Sequence, residues 1–572
     1  MATTAPAPAR ARRLARIAPW RLGVAIAAPL SLAYLIVAPP SADLAAATYR
    51  SDLFARAGLT LWDNGWYAGH HLLGYSVLAP AVGALLGPRV ALAVAGVVAS
   101  GLFGALLSAS GFDGGAARAG AAWFAIGFEV ELWSGRLPYD LGVAIGLGGL
   151  LLLVPSLSGG GGGAGAGSGA AAGRAGAAAG RAGAGRSGRL AGGLALAALA
   201  GVTSPVAGAF LALAGVAVAL VHGAGARRAG LALAVVALGP ALALAYVFPE
   251  GGYEPFAASA FWPAFAATIA VGALMAASGR RLLAVGAALY ALGLLGAYVL
   301  HTPVGGNAAR LGPLVAGPIV VAVLWDRRGA LLAVAVPVLA YWSVVTPVRD
   351  VASLAGDPSV HEAYYAPLLS ELGARADGRP LRVEIPLTAA HWEANYVAAR
   401  FSLARGWERQ LDTRYAALFY RPSLSPGAYR AWLLDNAVSY VAVPDVRLDA
   451  AGRLEARLIA GGLPYLAPVW RSAHWRLYAV RGAAPLAGPP AVLTSLGDDS
   501  FGLSFPRPAR VVVRVRFTPY WAVVVRPGPG RACVGPAPGG WTAVSSPAAG
   551  SLRIGIRFAP DRIRATSARC AG

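Results

Sequence analysis

Lysine is absent from the 572-residue chain, and cysteine occurs only twice. Without lysine there is no G-x-x-x-x-G-K-[ST] loop, whose lysine contacts nucleotide phosphates. Two cysteines do not by themselves make the usual four-ligand structural zinc site. The chain also has no H-E-x-x-H motif, and the glycine run at 159–163 is low-complexity sequence that follows no strand. These absences exclude nucleotide sites of the P-loop and Rossmann types and zinc sites of the zincin type.

Charged residues are scarce as well. They make up 13% of the chain, against roughly 25% in soluble domains. Hydrophobic residues make up 57%, and the mean hydropathy is +0.58. Repeated apolar runs near twenty residues place the chain among membrane proteins. The net charge of +22 comes from arginines clustered between these runs, and no nucleic-acid recognition motif accompanies them, so we expect membrane lipids and no nucleic acid as partners.

Arginine placement predicts the topology. Five arginines precede the first apolar segment, Leu22–Pro39, which places the N-terminus in the cytoplasm and the segment in the membrane as a retained span. They are Arg10, Arg12, Arg13, Arg16 and Arg21. The apolar piece Tyr75–Leu86 is too short to cross and is interpreted as an interfacial or re-entrant helix. If this piece does not cross, the later arginine pairs lie on the cytoplasmic side, at Arg227/Arg228, Arg280/Arg281 and Arg327/Arg328.

The fold predicted is a membrane all-α bundle of about eleven transmembrane helices, followed by an extracytoplasmic α/β domain and a C-terminal β-sandwich. The membrane domain covers 1–348, with an external loop at 40–88 and a cytoplasmic Gly/Ala/Arg linker at 157–189. The α/β domain covers 349–485 and the sandwich 486–572. We therefore expect a multi-pass protein of the plasma membrane with its C-terminal domain outside.

Cys533 and Cys570 both lie in the predicted sandwich. An extracytoplasmic location favours a disulfide between them. The alternative is two unpaired thiols.

The external loop carries three candidate carboxylates. Asp43 follows the first span and is the candidate general base, or positions a metal-bound phosphate. Alternatively, it only caps the helix that begins near Ser41. Asp52 lies nearly on the opposite helical face, and is either solvated or paired with Arg56. Asp63, in the sequence Asp-Asn-Gly, is typical of a turn and is a weaker substrate-binding candidate.

The same loop holds His70, His71 and Tyr75. Adjacent histidines diverge on a helix and make a poor metal pair, so we expect at most one of them to line a cavity. Tyr75 and the neighbouring tryptophans are typical of a membrane interface, and the same side chains are suited to stacking on a sugar.

Further candidates lie near the outer ends of later spans. Glu129 and Glu131 are carboxylates in a membrane segment, which usually face a polar cavity. Arg136 and Tyr139 follow in the external turn, where an arginine can hold a phosphate through two hydrogen bonds. Snorkelling or a local ion pair is the alternative role for such an arginine.

Two more external connections contribute candidates. Arg310 follows Asn307 in the sequence GGNAAR and is the second candidate phosphate ligand. Glu250 lies in the connection FPEGGYEPF and is a further candidate for substrate binding.

These segments resemble the GT-C superfamily of polytopic membrane glycosyltransferases. The resemblance rests on an external aspartate-bearing helix, an aromatic loop and a half-helix before an arginine-started span, and it extends to actinobacterial membrane proteins of this type. The segments that carry it are DLAAATYRSDLF, WYAGHHLLGYSVLAP, SGRLPYDLG, TSPVAG, FPEGG and GGNAARLGP, with Arg405–Pro444 and FTPYWAVVV…GGW in the C-terminal part.

The resemblance implies an enzyme that moves a hexose or pentose from a polyprenyl-phosphate donor to an envelope glycan or glycolipid acceptor. It implies Asp43 as the catalytic base. The family's paired-acid motif is not complete here, because Leu44 follows Asp43, so the resemblance leaves a divalent cation open as a cofactor. Two other functions fit a protein of this architecture: a transporter or lipid-linked-sugar flippase, and a non-catalytic envelope assembly protein.

Overall fold

A computed structural model describes residues 17–158, 172–326 and 329–571. The arginines at 10, 12, 13, 16, 327 and 328, and most of the glycine-rich stretch, lie outside these described residues. The chain forms two compact units. Unit 1 comprises Met1–Pro39, Pro88–Ala243 and Pro255–Asp350, and unit 2 comprises Pro40–Gly87, Leu244–Glu254 and Val351–Gly572.

Unit 1 is all-α in its described part. Its helices are α1 (Pro19–Val37), α4 (Pro88–Ala109), α5 (Gly114–Glu131), α6 (Leu137–Leu157), α7 (Ala172–Thr203), α8 (Pro205–Val221), α9 (Ala224–Val247), α10 (Ala258–Ala277), α11 (Arg281–Val299), α12 (Leu311–Leu324) and α13 (Gly329–Leu354). Every apolar segment predicted to span is helical, which confirms the all-α membrane part. Eight helices within the described residues are long and apolar enough to cross a bilayer, so this is a multi-pass membrane protein. The figure of about eleven spans stays a prediction.

Small residues allow the helices of unit 1 to approach closely. A β-carbon on Gly230 of α9 would meet the backbone carbonyl of Gly215 on α8. Gly104 of α4 lies in the same way against the backbone of Pro19 at the start of α1. Glycine at such crossings is typical of helix packing in membranes, where close backbone contact replaces the hydrophobic effect.

Within the predicted linker at 157–189, residues 172–189 are helical, because helix α7 begins at Ala172. Alanine has the highest helix propensity, so this stretch is helical without an apolar periodicity. Helix α7 ends at Thr203, and Ser204 caps α8 by accepting the backbone N–H of Ala207 (3.3 Å). The SPVAG sequence therefore marks a break between two helices.

Unit 2 contains an α/β part. Its sheet has the strand order β4 (Ser402–Leu403), β3 (Arg382–Glu384), β5 (Tyr440–Pro444), β7 (Trp475–Val480) and β6 (Leu466–Arg471). Strand β3 runs parallel to both β4 and β5, and β7 is antiparallel. The helices are α14 (Glu362–Ala376), α15 (Glu393–Tyr396), α16 (Arg409–Tyr415), α17 (Pro426–Asp435) and α18 (Ala450–Ala460). The predicted α/β pattern is confirmed.

The C-terminal part of unit 2 is a sandwich of two four-stranded antiparallel sheets. The strands are β8 (Val492–Leu496), β9 (Ser500–Phe505), β10 (Ala509–Arg516), β11 (Trp521–Val525), β12 (Ala532–Ala537), β13 (Trp541–Ser546), β14 (Gly550–Ile556) and β15 (Arg569–Ala571). Cys533 and Cys570 lie opposite each other on β12 and β15 and form a disulfide. Alternating valines and isoleucines fill the space between the sheets, as the sequence pattern predicts.

The external loop belongs to unit 2, whereas the sequence boundaries grouped it with the membrane domain. It forms α2 (Ala42–Ala57), the two-residue strands β1 (Trp62–Asp63) and β2 (His70–His71), and the short helix α3 (Ala79–Leu86). The carbonyl of Gly65 accepts the backbone N–H of Leu403 (2.8 Å), and the carbonyl of Ala68 accepts that of Arg516 (2.8 Å). The loop therefore contacts both the α/β part and the sandwich.

Candidate functional site

Charged groups lie together in one region of unit 1. This region is formed by the C-terminal ends of α5 and α13 and the N-terminal ends of α6 and α12. Arg136, just before α6, forms an ion pair with Glu131 (2.8 Å) and lies 3.6 Å from the carboxylate of Asp350. Arg310, which ends the 3-10 helix Gly305–Arg310, lies with its guanidinium over the ring of Tyr139. The Tyr139 hydroxyl is 3.5 Å from the carbonyl of Arg310. Four predicted site residues therefore share one end of the helices.

The two arginines of this group differ in their partners. Arg136 is engaged by two carboxylates, whereas the half-buried Arg310 has no ion pair with a carboxylate among the described residues. Asn307 lies half-buried in the same 3-10 helix as Arg310. Of the two predicted phosphate ligands, Arg310 is thus the one whose charge remains available to an anion.

Asp140, in the first turn of α6, was not among the predicted site residues. It is fully buried, and neither of its carboxylate oxygens has a hydrogen-bond partner within the described part of the chain. A carboxylate in a membrane helix normally serves a function. Its position directly after Tyr139, in the turn predicted to be external, was the available signal.

Glu129 is buried between α1, α4 and α5. One carboxylate oxygen accepts the hydroxyl of Ser31 (2.8 Å), and the other has no partner among the described residues. A β-carbon on Gly96 would meet this second oxygen, so the glycine makes room for the carboxylate. Glu129 is thus enclosed by helices and does not line the cavity described next.

An apolar cavity of about 590 Å³ runs through unit 1. One end is lined by Tyr139, Phe210 and Leu311, and the other by Ser110, Ser158 and His222. Tyr139 and Ser158 are 19 residues apart along α6, which corresponds to roughly 28 Å of helix. The rest of the wall is built mainly from leucine, valine, alanine and glycine, together with aromatic side chains such as Phe124, Tyr290 and Trp342. The cavity is therefore long and narrow, and its Tyr139 end is next to Arg310.

In unit 2, Asp43 lies half-buried in the first turn of α2, and Ser41 caps this helix by accepting the backbone N–H of Leu44 (3.4 Å). Asp52 is exposed on the same helix. Of its two predicted environments the solvated one applies, because Arg56 donates to both carboxylate oxygens of Asp498 (3.0 and 3.1 Å) instead.

Asp63 is fully buried in unit 2. Its Oδ1 accepts the hydroxyl of Tyr49 (2.9 Å) and the backbone N–H of Gly65 (2.8 Å), the second bond being the turn that the Asp-Asn-Gly sequence predicts. Burial raises the pKa of Asp63 to about 6, against the lowering effect of these two hydrogen bonds. His70 Nδ1 lies 3.9 Å from Asp63 Oδ2.

The two histidines are buried as well. The ring of His70 stacks on Trp66 at a centroid distance of 5.6 Å, and burial, together with the nearby charges of Arg50 and His71, lowers its pKa well below the usual range. His71 Nδ1 lies 2.8 Å from Glu250, and its Nε2 lies 3.0 Å from the hydroxyl of Thr518. These side chains and Glu250 are therefore held by contacts inside unit 2.

Tyr75 is half-buried, and the guanidinium of Arg50 lies 3.9 Å from its ring centroid. Arg50 also forms a buried ion pair with Glu408. The ring of Tyr75 thus makes a cation–π contact with a side chain of the protein itself.

A metal site was left open by the sequence. Among the described residues no group of three or more His, Cys, Asp or Glu side chains is arranged to hold a metal ion.

The fold and these sites define a multi-pass membrane protein whose helical unit encloses a long apolar cavity and whose second unit is built on sheets. No protein-family model matches the chain, and no curated protein matches it. Solved structures of the mycobacterial arabinofuranosyltransferase AftD are similar to it, one with 14% identity, a TM-score of 0.42 and coverage of 95% of this chain and 57% of that chain. A second, of an R1389S mutant, has 13% identity, a TM-score of 0.41 and coverage of 98% and 61%. The chain thus spans about three-fifths of the length of these proteins.

Proposed function

We propose that the protein is a glycosyltransferase that acts at the outer face of the plasma membrane. It moves a sugar from a polyprenyl-phosphate donor to an envelope glycan or glycolipid. The observation that carries this proposal is the apolar cavity of unit 1, whose Tyr139 end lies beside Arg310. A polyprenyl phosphate matches this arrangement, because its hydrocarbon chain suits the apolar cavity and its terminal phosphate suits the neighbouring Arg310.

The cavity suits the isoprenoid part of the donor. Its length along α6, roughly 28 Å, is close to the ~30 Å of bilayer hydrocarbon. Its walls are mostly apolar, so a polyprenyl chain can pass from the bilayer into the cavity without exposing hydrocarbon to water. A chain that occupies its whole length exceeds the depth of a single leaflet, which favours a polyprenyl over a common acyl lipid.

Arg310 suits the phosphate. A guanidinium binds a phosphate through two parallel hydrogen bonds and keeps its charge at all physiological pH values. Arg136 contributes positive potential at the same end, but Glu131 and Asp350 already share its charge. We assign Arg310 the direct contact, and Arg136 a weaker contribution through the field.

In the proposed reaction Asp43 accepts the proton of the acceptor hydroxyl. The hydroxyl oxygen then forms a bond to the anomeric carbon, while the bond between that carbon and the phosphate oxygen breaks. The electron pair of the broken bond leaves with the polyprenyl phosphate, and Arg310 stabilises the additional charge on the leaving phosphate. Attack opposite to the leaving group inverts the anomeric configuration.

The external candidates Asp63, His70, His71 and Glu250 are not needed for this reaction. Each is held inside unit 2 by the contacts described above, so we assign them to the structure of that unit rather than to substrate binding. The orientation with unit 2 outside the cell is part of the proposal, and rests on the arginine distribution between the apolar segments.

A cavity-filling variant tests the proposal. Gly286 of α11 lines the cavity, and a β-carbon there would have only Ala217 within 4.0 Å, so Gly286→Phe projects into open space. Gly293 of the same helix is exposed with nothing within 4 Å, which makes Gly293→Phe the matched control. Purified protein in nanodiscs is assayed for sugar transfer from labelled donors with short and long polyprenyl chains.

We expect Gly286→Phe to lower transfer from the long-chain donor about tenfold or more, because fitting the chain beside the added ring costs about 1–3 kcal/mol, and to affect the short-chain donor less. Gly293→Phe should change neither. Equal activity of both variants with the long donor would contradict the assignment of the cavity. Uptake of the lipid-linked sugar without any product would instead favour the flippase.

A further inference from the structure

The α/β part of unit 2 carries a second, open depression of about 370 Å³. It lies at the carboxyl end of β5, where Asp445, Val446 and Arg447 leave the strand, and it is completed by the turn that follows α13 and by His474. In open α/β sheets, ligands bind outside the carboxyl ends of parallel strands, and β5 is parallel to β3. The proposed reaction uses none of these residues.

The loop after β5 is held in place by its backbone. The carbonyl of Arg447 accepts the N–H of Ala389 (2.8 Å), and the N–H of Asp449 donates to Leu387 (2.9 Å). At the other end of the loop, the N–H of Asp445 donates to the carbonyl of His474 (3.1 Å). Because the backbone of this loop is fixed, ligand binding does not have to order the main chain.

Asp445 and His474 form an oriented pair at the surface. The Asp445 carboxylate accepts the hydroxyl of Tyr364 (2.9 Å) and lies 2.9 Å from His474 Nδ1. The side chains of His474 and Asp445 are 47% and 49% exposed, so solvent reaches the pair. With Nδ1 occupied by the carboxylate, His474 offers Nε2 to a ligand.

The remaining polar groups have opposite signs. Arg447 is exposed, and its guanidinium has no ion pair within the described part of the chain. Asp357 uses Oδ1 to accept the backbone N–H and the hydroxyl of Ser359 (2.9 and 2.6 Å). The depression thus places N–H donors and carboxylate acceptors around one open volume.

We infer that this depression binds a neutral saccharide. Sugar hydroxyls both donate and accept hydrogen bonds, so they can use Arg447, Asp357 and His474 together. A phosphate would be attracted by Arg447 but repelled by Asp357 and Asp445. A divalent cation would be attracted by the two aspartates but repelled by Arg447. The volume lies at the lower end of the range of small-ligand sites. This inference does not depend on the transfer reaction.

The test uses the full-length protein in nanodiscs and titration calorimetry with neutral pentose and hexose tetrasaccharides. We expect at least one of these probes to bind, and Arg447→Ala and His474→Gln each to weaken its binding about tenfold or more. Arg457→Ala is the matched control, because Arg457 is an exposed arginine of α18 outside the depression. An unchanged melting temperature shows that each variant is folded, and Arg447→Gln replaces Arg447→Ala if it is not.

Inorganic phosphate and magnesium chloride are titrated in the same way. Binding of either that is lost in Arg447→Ala or Asp357→Asn, without binding of a neutral probe, would overturn the inference. The inference would equally fail if no neutral probe bound, or if binding survived both variants. Transfer from the polyprenyl donor to a monosaccharide acceptor is measured in parallel, and Arg447→Ala should leave it unchanged, so that the two proposals fail separately.

Discussion

The guanidinium carbon of Arg310 lies 5.4 Å from the centroid of the Tyr139 ring, at the end of the apolar cavity that Tyr139 lines. The aromatic face holds the cation in position without neutralising it with a carboxylate. Arg310 is therefore charged and oriented for an anion before the donor binds.

Replacing Arg310 by alanine should lower kcat/KM for the polyprenyl-phosphate donor about 10- to 100-fold. Hydrogen bonds to a charged group contribute about 1.5–3 kcal/mol, which corresponds to that range. Arg310→Lys keeps the charge but loses the second hydrogen bond, so its activity should fall in between. Arg281→Ala, at the start of α11, is the control and should keep full activity. Steady-state kinetics with labelled donor decide, and wild-type kinetics in Arg310→Ala would remove this arginine from the site.

Asp43→Asn should abolish most of the transfer because the amide cannot accept the acceptor's proton. General-base catalysis contributes about 10²- to 10⁴-fold, and kcat should fall by this factor while donor binding stays unchanged. Asp52→Asn, an exposed aspartate of the same helix, is the control. Single-turnover transfer measures the chemical step directly. Undiminished turnover in Asp43→Asn would show that another group is the base, with the buried Asp140 the next to be replaced.

Asp63 should affect stability and not catalysis. Asp63→Ala leaves the Tyr49 hydroxyl and the Gly65 N–H without their acceptor, and each unmet buried group costs about 1–3 kcal/mol. Tyr49→Phe removes one hydrogen bond and should cost about 1 kcal/mol. Thermal unfolding in detergent followed by tryptophan fluorescence measures both losses. A large fall in transfer with an unchanged melting temperature would instead place Asp63 in the active site.

Glu455 and Glu384 should stabilise unit 2 less as the pH rises. Glu455 accepts the hydroxyl of Tyr429 (2.7 Å), and burial raises its pKa to about 7, while burial and the neighbouring Glu455 raise that of Glu384 well above its usual range. Both groups bind their proton more tightly in the folded state, so their stabilisation is complete below pH ~4.3 and is lost as the pH rises to about 7 and beyond.

The slope per group is at most about 1.4 kcal/mol per pH unit. Melting temperatures are measured between pH 5 and pH 8, and the wild type should lose stability relative to Glu455→Gln as the pH rises. The exposed Glu362→Gln is the control and should follow the wild type. A wild type that gains stability relative to Glu455→Gln over this interval would contradict the assigned direction of the shift.

The disulfide should stabilise the last strand of the sandwich. It closes a loop over a sequence separation of 37 residues, for which the loss of unfolded-state entropy corresponds to about 4 kcal/mol. Reduction, or Cys570→Ser, should release β15 from β12 and open this edge to protease. Limited proteolysis with and without reductant, read by mass spectrometry of the C-terminal fragment, measures the effect. Equal cleavage in both states would show that β15 is held by other contacts.

Much of the fold follows from local patterns. The apolar segments of unit 1 are helical as predicted, because their length and composition decide the outcome independently of their neighbours. The strands β10 and β14 follow the alternation of valine or isoleucine with arginine, which is typical of a half-buried sheet. The turn at Asp63 likewise depends only on its two following residues.

The roles of the external loop could not be predicted in the same way. Trp66 and Tyr67 carry the amphipathic pattern of interface aromatics, but Trp66 donates to a carbonyl 328 residues away and the Tyr67 hydroxyl to one 341 residues away. His70 is buried by these neighbours. Such distant partners leave no local signal, and the same residue types serve a membrane interface, a sugar site and a packed core.

Trp62 of β1 packs edge to face against Trp521 of β11, at a centroid distance of 5.6 Å. During synthesis the loop leaves the ribosome long before that strand, and at ~5–20 residues per second the interval is on the order of half a minute or more. For this time Trp62 lacks Trp521, and Trp66 lacks the carbonyl of Ala394 to which it donates. The packing of these two rings is therefore completed only after translation of the C-terminal part.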